Sequence, residues 1–232
     1  MAATKLEMAP LLTALDVDPG TLGDEWPTRT HAGIDGRPIT FVVTGLGKAN
    51  AAAALAAATA DARHGGGSAS TVLQVGIAGA YPGCDLPLGA VAVAASERDL
   101  DLGVGEDRDR AGLDAMGFEL LPGSGVHNVI GLRSAAAERA ATHLGAPLLD
   151  FATSDGVTAT PAAAQQTTAR HGVALESMEG FAAAQVALAL GATFVEVRAV
   201  SNRVGERDKA AWRLREAVAA AAAAARAALA VL

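Results

Sequence analysis

The sequence predicts a three-layer α/β/α fold with a single mixed, mostly parallel sheet, formed by one domain over residues 1–232. Runs of β-branched residues alternate with alanine-rich helical runs, the pattern of a parallel sheet with helices on both faces. Hydrophobic residues make up 51% of the chain but aromatic residues only 3%, so aliphatic side chains must form the core. No internal repeat or linker-like segment divides the sequence.

The first half of the chain predicts three buried strands and one long helix. Each strand-like run is rich in β-branched or small apolar residues and bounded by glycine or proline; the runs cover residues 39–44, 71–75 and 89–96. An unbroken alanine-rich run predicts a helix over residues 48–64, ended by a turn at residues 65–68. The second strand is expected to open into a glycine-rich turn at Gly76 and Gly79. A solvated loop is expected over residues 97–110.

The second half predicts four helices and one strand. Ser134 is a suitable N-cap for a helix to about Leu144, and Pro161 suits the first turn of a helix that ends near Gly172. The other predicted elements are a helix over residues 179–190, a strand over residues 193–201, and a helix from about residue 208 to residue 232.

The composition limits the kinds of molecule that the protein is expected to bind. A net charge of -7 argues against nucleic-acid binding, which needs clustered Lys and Arg. Cys84 is the single cysteine, so we expect no internal disulfide, and no Cys/His spacing suggests a metal or cofactor site. The N-terminus does not resemble a signal peptide, and the C-terminal apolar run is too short for a membrane helix. We expect a cytoplasmic protein with a small-molecule partner.

Polar and glycine-rich segments follow three of the predicted strands. In parallel sheets, ligands bind beyond the carboxyl ends of the strands. We therefore expect residues 44–47, 76–79 and 201–202 to surround one crevice. A dinucleotide loop is a poor alternative, because the third glycine that would follow Gly45 and Gly47 is replaced by Asn50.

Three motifs occur in an order that is informative as a set. They are "VGIAGAYPG" at residues 75–83, "ESMEG" at residues 176–180 and "VEVRAVSN" at residues 195–202. Together with "AATKLE" at residues 2–7 and "TGLGKANAA" at residues 44–52, they resemble the nucleoside phosphorylase and nucleosidase superfamily over nearly the whole chain. The resemblance implies a purine nucleoside as substrate, with the backbone of Gly76, Ile77, Ala78 and Gly79 close to it.

The resemblance also implies roles for two carboxylates. Glu179 would bind the ribose hydroxyls while Met178 packs under the sugar, and a nearby negative charge stabilises an oxocarbenium-like ribose. An alternative is that Glu179 only meets the exposed N–H groups of its helix. Glu7 would activate the attacking water as a general base, or it is structural. Because only residues 1–4 precede this motif where the family has a full strand, the chain end is expected to fray and hold Glu7 poorly. Either the native start lies upstream, or the sheet tolerates a short strand.

Asn202 indicates which base is bound. Nucleosidases that act on 6-aminopurines typically have Asp at the matching position, whereas an amide donates to N7 or a 6-oxo group and does not titrate. Sites built for one polar group reject analogues that leave it unpaired. Asn202 therefore favours a 6-oxopurine such as hypoxanthine, with Ser201 supporting it, unless Asn202 merely caps the turn before Arg203.

The resemblance favours water over phosphate as the nucleophile. Phosphorylases of the superfamily carry a glycine-arginine loop after the first strand and an arginine where this chain has Gly89. A carboxylate at Glu7 would repel phosphate, and no arginine supplies the missing clamp. The combination of "ESMEG" with "SNRVG" resembles futalosine hydrolases, which implies release of hypoxanthine and dehypoxanthine futalosine in menaquinone biosynthesis. The alternatives are a methylthioadenosine or adenosylhomocysteine nucleosidase and a catalytically silent nucleoside-binding relative.

Other polar residues are interpreted as structural. Arg198, inside a predicted strand, is expected to form a buried ion pair. The five histidines are scattered without metal spacing; they are His31, His64, His127, His143 and His171. The base-stacking wall is expected between Thr153 and Thr160, with its residues unassigned. Superfamily members usually form dimers or larger homo-oligomers.

Overall fold

The computed structural model describes residues 1–64, 70–106 and 109–232. Its strands are β1 (Thr28–Ile34), β2 (Arg37–Val43), β3 (Thr71–Ala80), β4 (Val91–Asp99), β5 (Val129–Gly131), β6 (Leu148–Thr153), β7 (Leu175–Ser177) and β8 (Thr193–Arg203). Its α-helices are α1 (Lys5–Ala14), α2 (Lys48–His64), α3 (Ala135–Leu144), α4 (Pro161–His171), α5 (Gly180–Leu190) and α6 (Leu214–Leu229). The predicted turn at residues 65–68 lies outside the described residues.

The main sheet is mixed and has the strand order β5-β4-β6-β7-β3-β8. Parallel ladders join β3 to β8, β4 to β6, and β6 to β7. Antiparallel ladders join β3 to β7 and β4 to β5, and another joins β4 to β8. This last pairing connects two strands that are distant in the strand order, so the sheet curls back on itself.

Helices cover both faces of the sheet, which confirms the predicted three-layer α/β/α architecture. On one face α2 and α5 pack around Leu55, Phe181 and Phe194. On the other face α1 and α6 pack around Met8 and Leu12, while α3 contributes a further alanine-rich cluster. Small alanine side chains allow these helices to lie close to the sheet. Across the described ranges, no helix combines the length and apolar character needed to span a membrane.

The N-terminal residues connect two parts of the structure. Ala2 N donates to Val42 O at 3.0 Å, and Thr44 N donates to Ala2 O at 2.9 Å. Val75 N donates to Met1 O at 2.9 Å, so this short segment lies between the β1–β2 hairpin and β3. The expectation that the chain end frays is therefore wrong, because both edges of the segment are hydrogen-bonded.

Several predicted boundaries are also corrected. Residues 76–79 continue β3 instead of forming a turn, since their ladder to β8 persists through a register shift after Ala78. The solvated loop expected from residue 97 is wrong at its start, where β4 continues and buries Glu97 and Asp99. The final α-helix begins at Leu214, after a 3₁₀ turn at Lys209–Ala211. Strands β1, β5, β6 and β7 were not predicted. Of these, β5 and β7 have only three residues each, which carry little periodicity.

Candidate functional site

Glu7 is held by both its own helix and the neighbouring strand. Thr4 and Glu7 form a capping box at the start of α1, in which Glu7 Oε2 accepts from Thr4 N at 3.0 Å. Glu7 Oε1 accepts from Ile77 N on β3 at 3.2 Å. Only 8% of Glu7 is exposed. The capping box and the strand contact together fix the carboxylate against the middle of β3.

Arg198 lies at the centre of the buried polar groups. Its partner in the β3–β8 register is Gly76, and a Cβ at Gly76 would lie 2.4 Å from Arg198 Nη1 and 2.7 Å from Glu7 Oε1. Only glycine leaves room there for both side chains. Packing, and not a turn, therefore explains the glycine at this position. Arg198 Nε donates to Glu196 Oε1 at 2.7 Å, and Nη1 donates to Ile77 O at 3.2 Å.

Glu179 completes this group from the opposite side. It occupies the N-cap position of α5, but its side chain makes no capping hydrogen bond. Instead, Glu179 Oε2 accepts from Arg198 Nη2 at 3.3 Å and Oε1 accepts from Gly47 N at 3.2 Å. The alternative role of Glu179 as a partner of its own helix N-terminus is therefore not supported.

Burial and the neighbouring charges shift the pKa values of this group in opposite directions. Burial raises the pKa of Glu179, while the nearby Arg198 guanidinium acts to lower it. Burial alone would lower the pKa of Arg198, but the carboxylates of Glu196, Glu179 and Glu7 outweigh it and raise that pKa. Arg198 therefore stays cationic and holds several acidic groups in one place.

Asn202 lies further along the same pair of strands. A Cβ at Gly79 would lie 3.3 Å from Asn202 Nδ2. The Ser201 hydroxyl lies 2.7 Å from Asn202 Oδ1 and 3.1 Å from Ala78 O. Asn202 Nδ2 donates to Arg203 O at 3.0 Å. Gly76 and Gly79 are three residues apart, about 10 Å along a strand, so the carboxylate group and the amide lie next to different points of β3.

A cluster around Lys48 anchors the turn that carries Gly47. Lys48 Nζ lies 3.0 Å from both carboxylate oxygens of Asp99 and 2.8 Å from Asp101 Oδ2. Lys48 N donates to Asp155 Oδ1 at 2.9 Å. These contacts fix the backbone beside Gly47, whose N–H donates to Glu179. The sequence-based interpretation did not include Lys48 in the site.

Direct contacts join parts of the predicted crevice. Gly47 N donates to Glu179, and Ser201 and Asn202 lie against Ala78 and Gly79 of β3. That the three segments surround one crevice stays a prediction. Arg198 does form the expected buried ion pairs, with Glu179 and Glu196. It also lies close to Glu7, another predicted site residue. The sequence did contain a signal for this, because Glu196 and Arg198 are two apart in a strand and therefore share a face.

The contacts of the remaining predicted site residues do not define a role for them in the site. Met178 and Ile77 are half-buried. Within the expected base-stacking wall, Thr158 is buried and donates through N to Glu176 Oε1 at 3.0 Å, whereas Val157 is 45% exposed. Glu176 also accepts a hydrogen bond from the Tyr81 hydroxyl. These contacts anchor the segment and leave its stacking residue unassigned.

The family model for the phosphorylase superfamily matches residues 1–232. The chain belongs to this superfamily. It is 39% identical to a futalosine hydrolase of Thermus thermophilus over 85% of this chain and 84% of that protein. It is 38% identical to a futalosine hydrolase of Streptomyces coelicolor over 78% of this chain and 74% of that protein.

Solved structures agree on the fold. The native structure of a Helicobacter pylori futalosine hydrolase matches with a TM-score of 0.77 at 18% identity, covering 100% of this chain and 96% of that chain. At this identity the likeness concerns the architecture alone. It supports the three-layer arrangement of the helices and the sheet.

Proposed function

We propose that this protein is a futalosine hydrolase, which cleaves the N-glycosidic bond with water and releases hypoxanthine and dehypoxanthine futalosine. The observation that carries the proposal is the pairing of two carboxylates with Arg198 beside Gly76, and of an amide with Gly79 on the same strands. The two similar futalosine hydrolases support the choice of substrate.

The sugar and the nucleophile are assigned to the Gly76 end. Glu179 binds the ribose hydroxyls, with Met178 under the ring, and its negative charge stabilises the oxocarbenium-like ribose. Glu7 accepts a proton from water as the water oxygen forms its bond to C1′. Arg198, which donates to Glu179 and lies beside Glu7, orients both carboxylates toward that water.

The base is assigned to the Gly79 end. An amide carries two N–H donors; one of those of Asn202 donates to Arg203 O, and we assign the other to N7 or the 6-oxo group of hypoxanthine. The Ser201 hydroxyl donates to Asn202 Oδ1. This contact fixes the orientation of the amide, so that its remaining N–H group faces the base. The electron pair of the broken C–N bond leaves with the base, and this hydrogen bond stabilises it.

Water suits this site better than phosphate. The guanidinium of Arg198 already donates to Glu196, to Ile77 O and to Glu179, which occupies three of its five N–H groups and reduces its capacity to bind phosphate. Two carboxylates beside it would repel an anion. Gly89 stands where phosphorylases carry an arginine, and its left-handed backbone (φ 84°) suits a turn.

A product assay tests the proposal. Futalosine, inosine and methylthioadenosine would each be incubated with the protein, with and without phosphate, and the released bases measured. We expect hypoxanthine from futalosine at a rate independent of phosphate. Faster release of adenine from methylthioadenosine would make the protein a methylthioadenosine nucleosidase, and binding of hypoxanthine without turnover would make it a silent relative.

Replacing Asn202 by Asp tests the assignment of the base. The carboxylate loses the donor that faces the 6-oxo group, and a mismatched buried polar contact costs about 1–3 kcal/mol, so kcat/KM for futalosine should fall by about 10- to 100-fold. The ratio of adenine to hypoxanthine release should rise. An unchanged ratio would remove Asn202 from base selection. Asp208→Asn, at an exposed 3₁₀ turn, is the control.

We also propose that the protein acts in the cytoplasm as a homo-oligomer within menaquinone biosynthesis. Large apolar side chains are exposed close to the Lys48 cluster, among them Leu46 (58%), Leu102 (37%) and Val157 (45%). Exposed apolar patches of this kind favour a protein interface. Light scattering should give a mass of at least two chains, and a monomer at high concentration would contradict this.

A further inference from the structure

Two carboxyl groups lie buried together under the first turn of α5. Glu97 on β4 and Glu196 on β8 are both 0% exposed. A Cβ at Gly180 would lie 2.3 Å from Glu97 Oε1 and 2.5 Å from Glu196 Oε2. Both oxygens therefore lie close to one point, and glycine is required above them.

These same two oxygens have unsatisfied hydrogen-bonding capacity. Among the described residues, Glu97 Oε1 and Glu196 Oε2 are buried without a hydrogen-bond partner. Two ionised carboxylates side by side in the interior would repel each other, and buried polar atoms are normally paired. One proton held between the two oxygens removes the repulsion and satisfies both atoms.

The neighbouring contacts indicate which residue carries the proton. Glu196 Oε1 accepts from Arg198 Nε at 2.7 Å, a contact that favours the ionised form of Glu196. Glu97 forms none of the ion pairs found among the described residues, and its Oε2 accepts from Thr153 Oγ1 at 2.7 Å. Burial, and then the charge of Glu196, raise the pKa of Glu97 well above its ordinary value. The proton therefore belongs on Glu97 Oε1.

We propose that Glu97 is a protonated positioning residue that donates to Glu196 and thereby aims Arg198 at the site. Three contacts lie on either side of this proton: Phe181 N donates to Thr153 Oγ1 at 2.8 Å, Thr153 donates to Glu97, and Arg198 donates to Glu196. The proposed hydrogen bond from Glu97 to Glu196 joins them into one chain. With Nε held by Glu196, the Nη atoms of Arg198 face Glu179 and Ile77 O. The functional part of this inference rests on the proposed hydrolysis.

Infrared spectroscopy tests the proton directly and needs no substrate. The wild-type protein at neutral pH should show the C=O stretching band of a protonated carboxylic acid, shielded from solvent exchange. Glu97→Gln should remove this band, and the exposed control Glu25→Gln should keep it. Absence of the band in the wild type, or its persistence in Glu97→Gln, would overturn the proposal even if the protein hydrolyses futalosine.

Kinetics test the positioning role. Glu97→Gln keeps a neutral donor toward Glu196 and should retain most of kcat, whereas Glu97→Leu removes the donor and should lower kcat by about 100-fold through misplacement of Arg198. KM should change much less than kcat. Equal kcat values for the Gln and Leu variants would overturn the proposal. If Glu97→Leu does not fold, Gly180→Ala, whose Cβ pushes the two carboxyl groups apart, should lower kcat in its place, and an unchanged kcat would count against the idea.

Discussion

Replacing Glu7 by Gln should lower kcat for hypoxanthine release from futalosine by about 1000-fold, because the amide accepts no proton from the attacking water. Single-turnover measurements on the purified variant would separate this chemical step from substrate binding. KM should stay close to the wild-type value, since Glu7 is assigned to water and not to the sugar or the base. The variant should also still bind hypoxanthine.

The fold should tolerate this change. Gln is the alternative to Glu at the third position of a capping box, so the contact with Thr4 N persists. Gln has a single acceptor oxygen, so the contact with Ile77 N is weakened at a cost of about 1 kcal/mol. Thermal unfolding checks this, with Glu25→Gln as the exposed control. An active Glu7→Gln enzyme would exclude Glu7 as the general base.

Replacing Arg198 by Met should destabilise the protein by about 3–5 kcal/mol, because Glu179 and Glu196 lose their buried cationic partner. For a chain of this size the melting temperature should fall by on the order of 10 °C. Denaturant unfolding measures the free energy. Arg215→Met, at an exposed position of α6, should change it little.

The loss of stability in Arg198→Met should depend on pH in a defined direction. Without the guanidinium, the pKa of the buried Glu179 carboxyl, already raised by burial, rises further above its value in the unfolded chain. A group of this kind stabilises the folded state when protonated and loses that stability as the pH rises through its folded pKa. The difference between variant and wild type should therefore shrink toward acidic pH. A difference that grows there would contradict the ion-pair account.

The same residues show how far local sequence information reaches. The alternation of strands and helices predicted the layered fold, whereas the crevice that the motifs predict between Glu179 and Asn202 stays a prediction. Residues 76–79 do lie beside Glu7, Arg198 and Asn202 but were wrongly taken as a turn. Glycine in a sequence indicates missing side-chain volume, and only the packed structure shows that the volume is filled by Arg198 and Glu7.

By itself, the sequence determined the fold class, the order of most helices and of four strands, and the residue types available for chemistry, because periodicity and helix capping are local properties of the chain. The tertiary structure alone decided that Glu7 meets Ile77 and that Arg198 lies between Glu179 and Glu196. It also decided that Glu97 and Glu196 share one buried space below Gly180. These groups come from separate strands and helices, and only the packing of those elements against one sheet brings their charges together where water is excluded.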